Sequence, residues 1–323
     1  MFLFKQMNIP TLLLVFNRPH ETQILIKRLS HFKPKKIYIF SDGPRDNYKL
    51  DIDKCNKVKK IIEGISWKCE IKKNYLKKNL GCKKAVSKGI SWLFKYEEKG
   101  IILEDDCIPS RDFFDFCRLS LKKFKNDDKI GSISGNNYLN NRIKIKNSYY
   151  FSKYAHCWGW ATWRNRWKLY DIEIGFWNDW KKTKYFENLF NTEIEKNYWL
   201  KIFNNVKKNK IDSWAYPWNL CLWYHGKLVV IPKFNLVKNI GYGKNATRTY
   251  LKNDNLTYKV KKMKKPYNHE SGKFINQQAD NYVFKNHFKG KNYLWPYRLF
   301  YILKIILTNP RFFMFKFNQI LRS

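Results

Sequence analysis

The sequence predicts an α/β protein with a mostly parallel central sheet flanked by helices. Three observations predict it. Short apolar runs without polar alternation, at residues 11–16, 36–40 and 101–103, read as strands covered on both faces. Between them lie stretches whose apolar residues recur at helical spacing. The strand-like runs end in Asn17-Arg18-Pro19, Ser41-Asp42-Gly43-Pro44 and Glu104-Asp105-Asp106, which are polar or turn signatures. Strands and helices alternating in this way form a doubly wound sheet. Its right-handed crossovers would gather Arg18, Asp42 and Glu104 to Asp106 on one rim, where open α/β sheets bind ligands.

The elements follow in order. Residues 11–16 form a first strand, and a helix over about 20–32 presents Leu25, Leu29 and Phe32 on one face. A second strand spans 36–40, a helix about 51–62, and a third strand 67–73. A helix starting at Gly81, with Val86, Ile90, Leu93 and Phe94 along one side, leads to the strand that ends at Glu104. Phe113, Phe116, Cys117, Leu121 and Phe124 give the next helix its buried stripe, and 130–134 is a further strand, followed by Gly135-Asn136-Asn137. Beyond it the chain becomes dense in aromatic residues, most of which read as a core seam. A helical stretch covers about 192–209, and a long strand or strand pair 227–237.

The 323 residues suffice for one large domain with an extension or for two domains, and 44% hydrophobic with 18% aromatic content excludes a disordered chain. A formal net charge of +38 implies an anionic partner: nucleic acid, an acidic membrane surface or a phosphorylated substrate. Codon bias is an alternative source of the excess, because Lys, Asn and Ile are all abundant. Seven scattered cysteines without CxxC spacing argue for reduced thiols in a cytosolic setting. No signal peptide and no run of about 18 apolar residues is seen, so no transmembrane helix is expected.

Three adjacent acids at a strand end repel one another and are most at ease with a cation between them and a phosphate. Hard oxygen ligands favour Mg²⁺ or Mn²⁺. The plainer reading is a solvated acidic turn ahead of a helix capped by Ser110. Trp158-Gly159-Trp160 suggests a turn at which indole faces stack on a sugar ring. Asp212, among tryptophans, suits a general base if partly buried; capping a helix, with Ser213 as competitor, is the alternative. The Gly-spaced stretch 241–249 could order around phosphates with Lys244 and Arg248, or be a surface loop. Residues 251–265 read as a Lys-rich excursion. The basic, apolar tail 289–323 suits an amphipathic helix in an anionic membrane interface, or a helix packed on the domain. No GxxxxGK[ST] or GxGxxG element is present.

The motifs Leu14-Val15-Phe16-Asn17-Arg18-Pro19, Ser41-Asp42-Gly43, Ile102-Leu103-Glu104-Asp105-Asp106 with Phe113-Phe114 downstream, Cys157-Trp158-Gly159-Trp160 and Asp212-Ser213-Trp214 together resemble glycosyltransferases of the GT-A fold. The nearest resemblance is to bacterial relatives of the N-acetylglucosaminyltransferase I family. It covers roughly residues 10–288, and the Glu-Asp-Asp element with its Phe-Phe is the specific part. The resemblance implies a domain over 8–288, with a nucleotide-binding half (8–140) and an acceptor half (141–288), leaving the tail outside. It implies a metal-dependent, inverting transfer of sugar from a nucleotide-sugar, with a UDP-sugar favoured, to a glycan acceptor in bacterial surface polysaccharide synthesis. Arg18 and Asp42 would contact the base, Glu104 and Asp105 the nucleotide, and Asp106 the Mn²⁺ or Mg²⁺. Trp158 and Gly159 would meet the donor sugar, Lys244 the pyrophosphate, and Asp212 would be the base. At Asp212 the family's Trp-Asp-Asp-Trp has become Ile-Asp-Ser-Trp. A glycan or lipid-linked glycan acceptor, an anionic membrane surface and a cytoplasmic, peripheral location follow as expectations, with no nucleic acid. The competing readings are a basic nucleic-acid-binding protein and a non-catalytic membrane-surface protein.

Overall fold

The apolar runs of the first hundred residues lie side by side as parallel strands, because each is too apolar to expose either face. The computed structural model describes residues 8–46, 48–241, 258–296, 299, 300 and 303. In order they form β1 (Thr11–Val15), α1 (Pro19–Ser30), β2 (Lys36–Ser41), α2 (Lys49–Glu63), β3 (Glu70–Tyr75), α3 (Gly81–Tyr96), β4 (Lys99–Glu104), β5 (Cys107–Pro109), α4 (Arg111–Lys123) and β6 (Ile130–Ser134). There follow β7 (Tyr149–Ser152), β8 (Trp160–Trp163), α5 (Arg164–Trp167), α6 (Trp177–Trp180), α7 (Lys184–Glu187), α8 (Glu193–Lys207), α9 (Ala215–Tyr224), β9 (Leu228–Pro232), β10 (Val237–Asn239) and α10 (Gln277–Asn286).

Eight strands make one sheet in the order β3-β2-β1-β4-β8-β6-β9-β7. β3, β2, β1 and β4 are mutually parallel; β8 runs against both β4 and β6, and β7 against β9. In register, Leu14 sits between Phe40 and Glu104. Side chains alternate across the sheet, so each face owns its own core. Leu13, Val15, Ile37, Ile39, Ile101 and Leu103 meet Leu25, Leu29, Val58 and Ile62 of α1 and α2 and Phe113 and Phe116 of α4. Leu12, Leu14, Tyr38, Phe40 and Ile102 meet Val86, Ile90 and Leu93 of α3. Each such buried aliphatic side chain stabilises the fold by roughly 1.5–3 kcal/mol.

The aromatic half extends the second of these layers. Trp160 stacks on Trp214 with ring centroids 5.4 Å apart, and Trp199 and Trp223 pack edge to face at 5.2 Å. A buried polar knot ties α8 and α10 to the end of β7. Asp280 accepts from Ser152 Oγ at 2.5 Å and from the Lys153 amide at 3.0 Å, while Lys153 Nζ lies 2.8 Å from Glu195 Oε1.

Several boundaries differ from the sequence expectation for physical reasons. The third strand runs over Glu70–Tyr75 and not 67–73, because Trp67 turns its indole N–H to the Pro34 carbonyl at 3.2 Å and leaves the ladder. The stretch 227–237 is a strand pair divided between sheets: β9 joins the main sheet and β10 pairs antiparallel with β5. Ser110 caps α4, accepting from the Phe113 amide, and Thr192 caps α8. All seven cysteines are free thiols. Of the tail, residues 289–296, 299, 300 and 303 are described, with a 3₁₀ turn at Gly290–Tyr293. No helix among the described residues is long and apolar enough to cross a membrane.

Candidate functional site

The strand directions decide which residues share a rim. β1, β2 and β4 end at Val15, Ser41 and Glu104 on one edge, and so does β6 at Ser134. β8 is reversed, so its beginning meets that edge, and the segment leading into it carries Trp158 and Gly159.

Arg18 stands at the start of α1 and turns its guanidinium onto the acids that follow β4. Its Nη1 lies 2.7 Å from Asp106 Oδ2 and 3.2 Å from Asp105 Oδ1. Burial works against the Arg18 charge, but Asp105, Asp106 and Glu104 outweigh it and hold the guanidinium above its ordinary range. Burial pushes the Asp105 carboxyl up to about 8, Arg18 pulls the other way, and the neighbouring acids add to the rise. Glu104 is half-buried at the last residue of β4.

Asp106 is enclosed from the β10 side. The Ile240 amide donates to the Asp106 carbonyl at 2.9 Å, and a Cβ on Gly241 would lie 2.1 Å from Asp106 Oδ2. Only glycine at 241 keeps that face of the carboxylate clear. Asp105 and Asp106 share the Arg18 guanidinium, and Glu104 stands beside them at the strand end. A hard divalent cation that also takes phosphate oxygens suits that donor set. No cluster of three or more His, Cys, Asp or Glu side chains converges as a metal cage among the described residues. A cation at Asp106 would therefore complete its shell with phosphate and water.

Asp42 is held by the loop that precedes α3. It accepts from the amides of Gly43 at 2.9 Å, Leu80 at 2.9 Å and Gly81 at 3.2 Å. Burial raises its pKa and these three amides oppose the rise. Asp212 comes to the same helix end, accepting from the Cys82 amide at 3.2 Å and the Lys83 amide at 2.9 Å. The carboxylate is exposed, so the partial burial expected of it from its tryptophan neighbours is absent. It does cap a helix, but that helix is α3, distant in sequence, and not α9.

Trp158 is half-buried, edge-on to Tyr138 at 5.1 Å and tilted against Tyr258 at 5.9 Å. Gly159 has φ +66°, and a Cβ there would lie 2.9 Å from Val237 and 3.1 Å from Leu103. Packing against the protein's own core thus explains that glycine locally. Lys244 lies outside the described residues, as does the stretch 242–249.

Sequence reasoning passed over Asn136. Wholly buried, it accepts from the Trp158 amide at 3.0 Å with its side-chain oxygen and from His156 Nδ1 at 3.2 Å with its carbonyl. Its signal was a pair of asparagines one glycine beyond a buried strand. Lys83 was also missed: its Nζ, nearly buried, holds Asn209 Oδ1 at 3.0 Å and Glu173 Oε1 at 3.3 Å, fixing the segment that carries Asp212. A cleft of about 330 Å³ lined by Glu98, Lys125, Trp163 and Arg164 lies at the other end of β8, away from these residues.

Fold and site together define an α/β protein whose mostly parallel eight-stranded sheet gathers an arginine and an acidic triplet at the carboxyl rim. No protein-family model and no curated protein matches the sequence. A solved structure of UDP-glucose pyrophosphorylase complexed with UDP-glucose is similar at 12% identity and a TM-score of 0.26, over 46% of this chain and 64% of that one. The match therefore spans just under two thirds of the pyrophosphorylase, and it is too slight to assign fold or activity.

Proposed function

We propose that the chain is a GT-A glycosyltransferase that moves a sugar from a nucleotide-sugar, with a UDP-sugar favoured, to a hydroxyl of a glycan acceptor. One observation carries the reading. Arg18, Asp42, the triplet Glu104, Asp105 and Asp106, and Trp158 come from four separate strand ends or beginnings to one rim, and α3 brings Asp212 to it. That assembly matches the order of motifs on which the family resemblance rests.

In this reading Arg18 and Asp42 hold the base, while Glu104 and Asp105 meet the ribose and the rest of the nucleotide. Asp106 holds Mn²⁺ or Mg²⁺, which when bound neutralises charge on the diphosphate leaving group. Trp158 and Gly159 flank the donor sugar. Asp212 takes the proton of the acceptor hydroxyl, whose oxygen then bonds to the anomeric carbon as the bond to the diphosphate breaks. Asp212 is held in place for that role by the amides of Cys82 and Lys83, one on each carboxylate oxygen. The basic tail 289–323 would rest on an anionic membrane that presents a lipid-linked glycan.

The test is thermal stability against UDP, GDP, CMP and dTDP, with and without Mn²⁺, in the wild type and in Asp106→Ala. A ligand at 100 times its Kd adds about 2.7 kcal/mol. The expected result is a Mn²⁺-dependent shift with one nucleotide, lost in Asp106→Ala. No shift with any nucleotide would sink the transferase reading.

A further inference from the structure

The seat assigned to a divalent cation is already held by a cation of the protein's own. Arg18 Nη1 bridges Asp106 Oδ2 and Asp105 Oδ1, and the side chains of Arg18, Asp105 and Asp106 are 19%, 5% and 13% exposed. A carboxylate buried to that degree takes a positive partner or a proton. The Arg18 backbone is anchored, since its carbonyl accepts from the Thr22 amide at 3.0 Å and from Thr22 Oγ1 at 2.8 Å. The side chain is therefore the part that can leave. A guanidinium 2.7 Å from Asp106 Oδ2 and a metal ion on that oxygen exclude each other by space and by charge.

We propose that Arg18 is a displaceable counter-ion: guanidinium and divalent cation occupy Asp106 in turn. This rests on the reading of Asp106 as the cation's ligand. It sets the order of binding at the site. A cation arriving alone must part Arg18 from both carboxylates, so it binds weakly. A nucleoside diphosphate gives the guanidinium a new bidentate partner, so cation and nucleotide bind together, each strengthening the other by the same factor.

Mn²⁺ alone is titrated into the full chain and the loss of the free-ion paramagnetic resonance signal is followed. The chains are wild type, Arg18→Met, Arg18→Lys, Asp106→Asn and the double variant Arg18→Met/Asp106→Asn, with UDP in a parallel arm. Arg18→Met should bind Mn²⁺ at least tenfold more tightly than wild type without nucleotide, and its melting temperature should rise with Mn²⁺. Arg18→Lys should fall between them, because an ammonium cannot span both acids as the guanidinium does; it carries the test should Arg18→Met not fold. The gain should vanish in the double variant. Equal or weaker Mn²⁺ binding by both Arg18 variants would overturn the proposal, as would a gain that survives Asp106→Asn. A wild type that binds no nucleotide of the panel would overturn the transferase reading instead, while the Mn²⁺ arm still decides the exchange.

Discussion

Asp42 and Asp212 divide four consecutive amides at one helix end between them: Asp42 accepts from Leu80 and Gly81, and Asp212 from Cys82 and Lys83. One acid follows a strand of the first half and the other precedes α9 in the second. The two halves of the candidate site are thus joined through the first turn of α3.

Asp42→Ala takes the acceptor from the amides of Gly43, Leu80 and Gly81 in a buried setting. Leaving buried donors unsatisfied costs about 1–3 kcal/mol. Urea denaturation should show that loss, and Asp42→Asn, which keeps one acceptor oxygen, should lose less.

Asp212→Asn should keep the nucleotide-induced thermal shift and lose turnover, read as UDP released from a UDP-sugar. Asp212→Ala should in addition lose about 1 kcal/mol of stability, as a helix cap does. Normal turnover in Asp212→Asn would remove this residue as the base.

Gly241→Ala would set a methyl group 2.1 Å from Asp106 Oδ2, so the carboxylate must move. The expected outcome is loss of the Mn²⁺-dependent part of the nucleotide shift, with the unliganded melting temperature little changed. Calorimetric titration with UDP, with and without Mn²⁺, separates the two.

His156 carries a pH prediction. Burial lowers its pKa to about 4, and His287, stacked near it against Tyr138, is lowered to about 3 by burial and then by His156. A folded-state pKa below the unfolded 6.5 means that stability is fully present above pH 6.5 and is lost as pH falls toward 4. At about 1.4 kcal/mol per pH unit, His156 should account for about 2 kcal/mol between pH 6.5 and 5. Denaturation at both pH values in wild type and His156→Asn measures it: the variant should be less sensitive to pH by that amount.

The first half of the chain was legible because its strands are apolar on both faces and its helices carry clean stripes. Arg18, Asp42 and Glu104 to Asp106 could be set on one rim from connection rules alone. The second half was not, since most of its tryptophans are buried and lack a period: α9 is apolar on almost every side, with seven of its ten residues buried. Nothing local marked β8 as reversed, although that reversal is what brings the segment carrying Trp158 to the rim where β4 ends. The capping of α3 by Asp212 was equally hidden. An acid next to Ser213 points to its own helix, and only the tertiary path shows that it serves another.

β10 is three residues long, and its three pairs with β5 set Gly241 against Asp106. Side chains alternate along a strand, so a slip of one residue turns the whole set over and brings a side chain where glycine now stands. Between residues 232 and 241, then, length matters as much as side chain: one codon gained or lost there would close the carboxylate off.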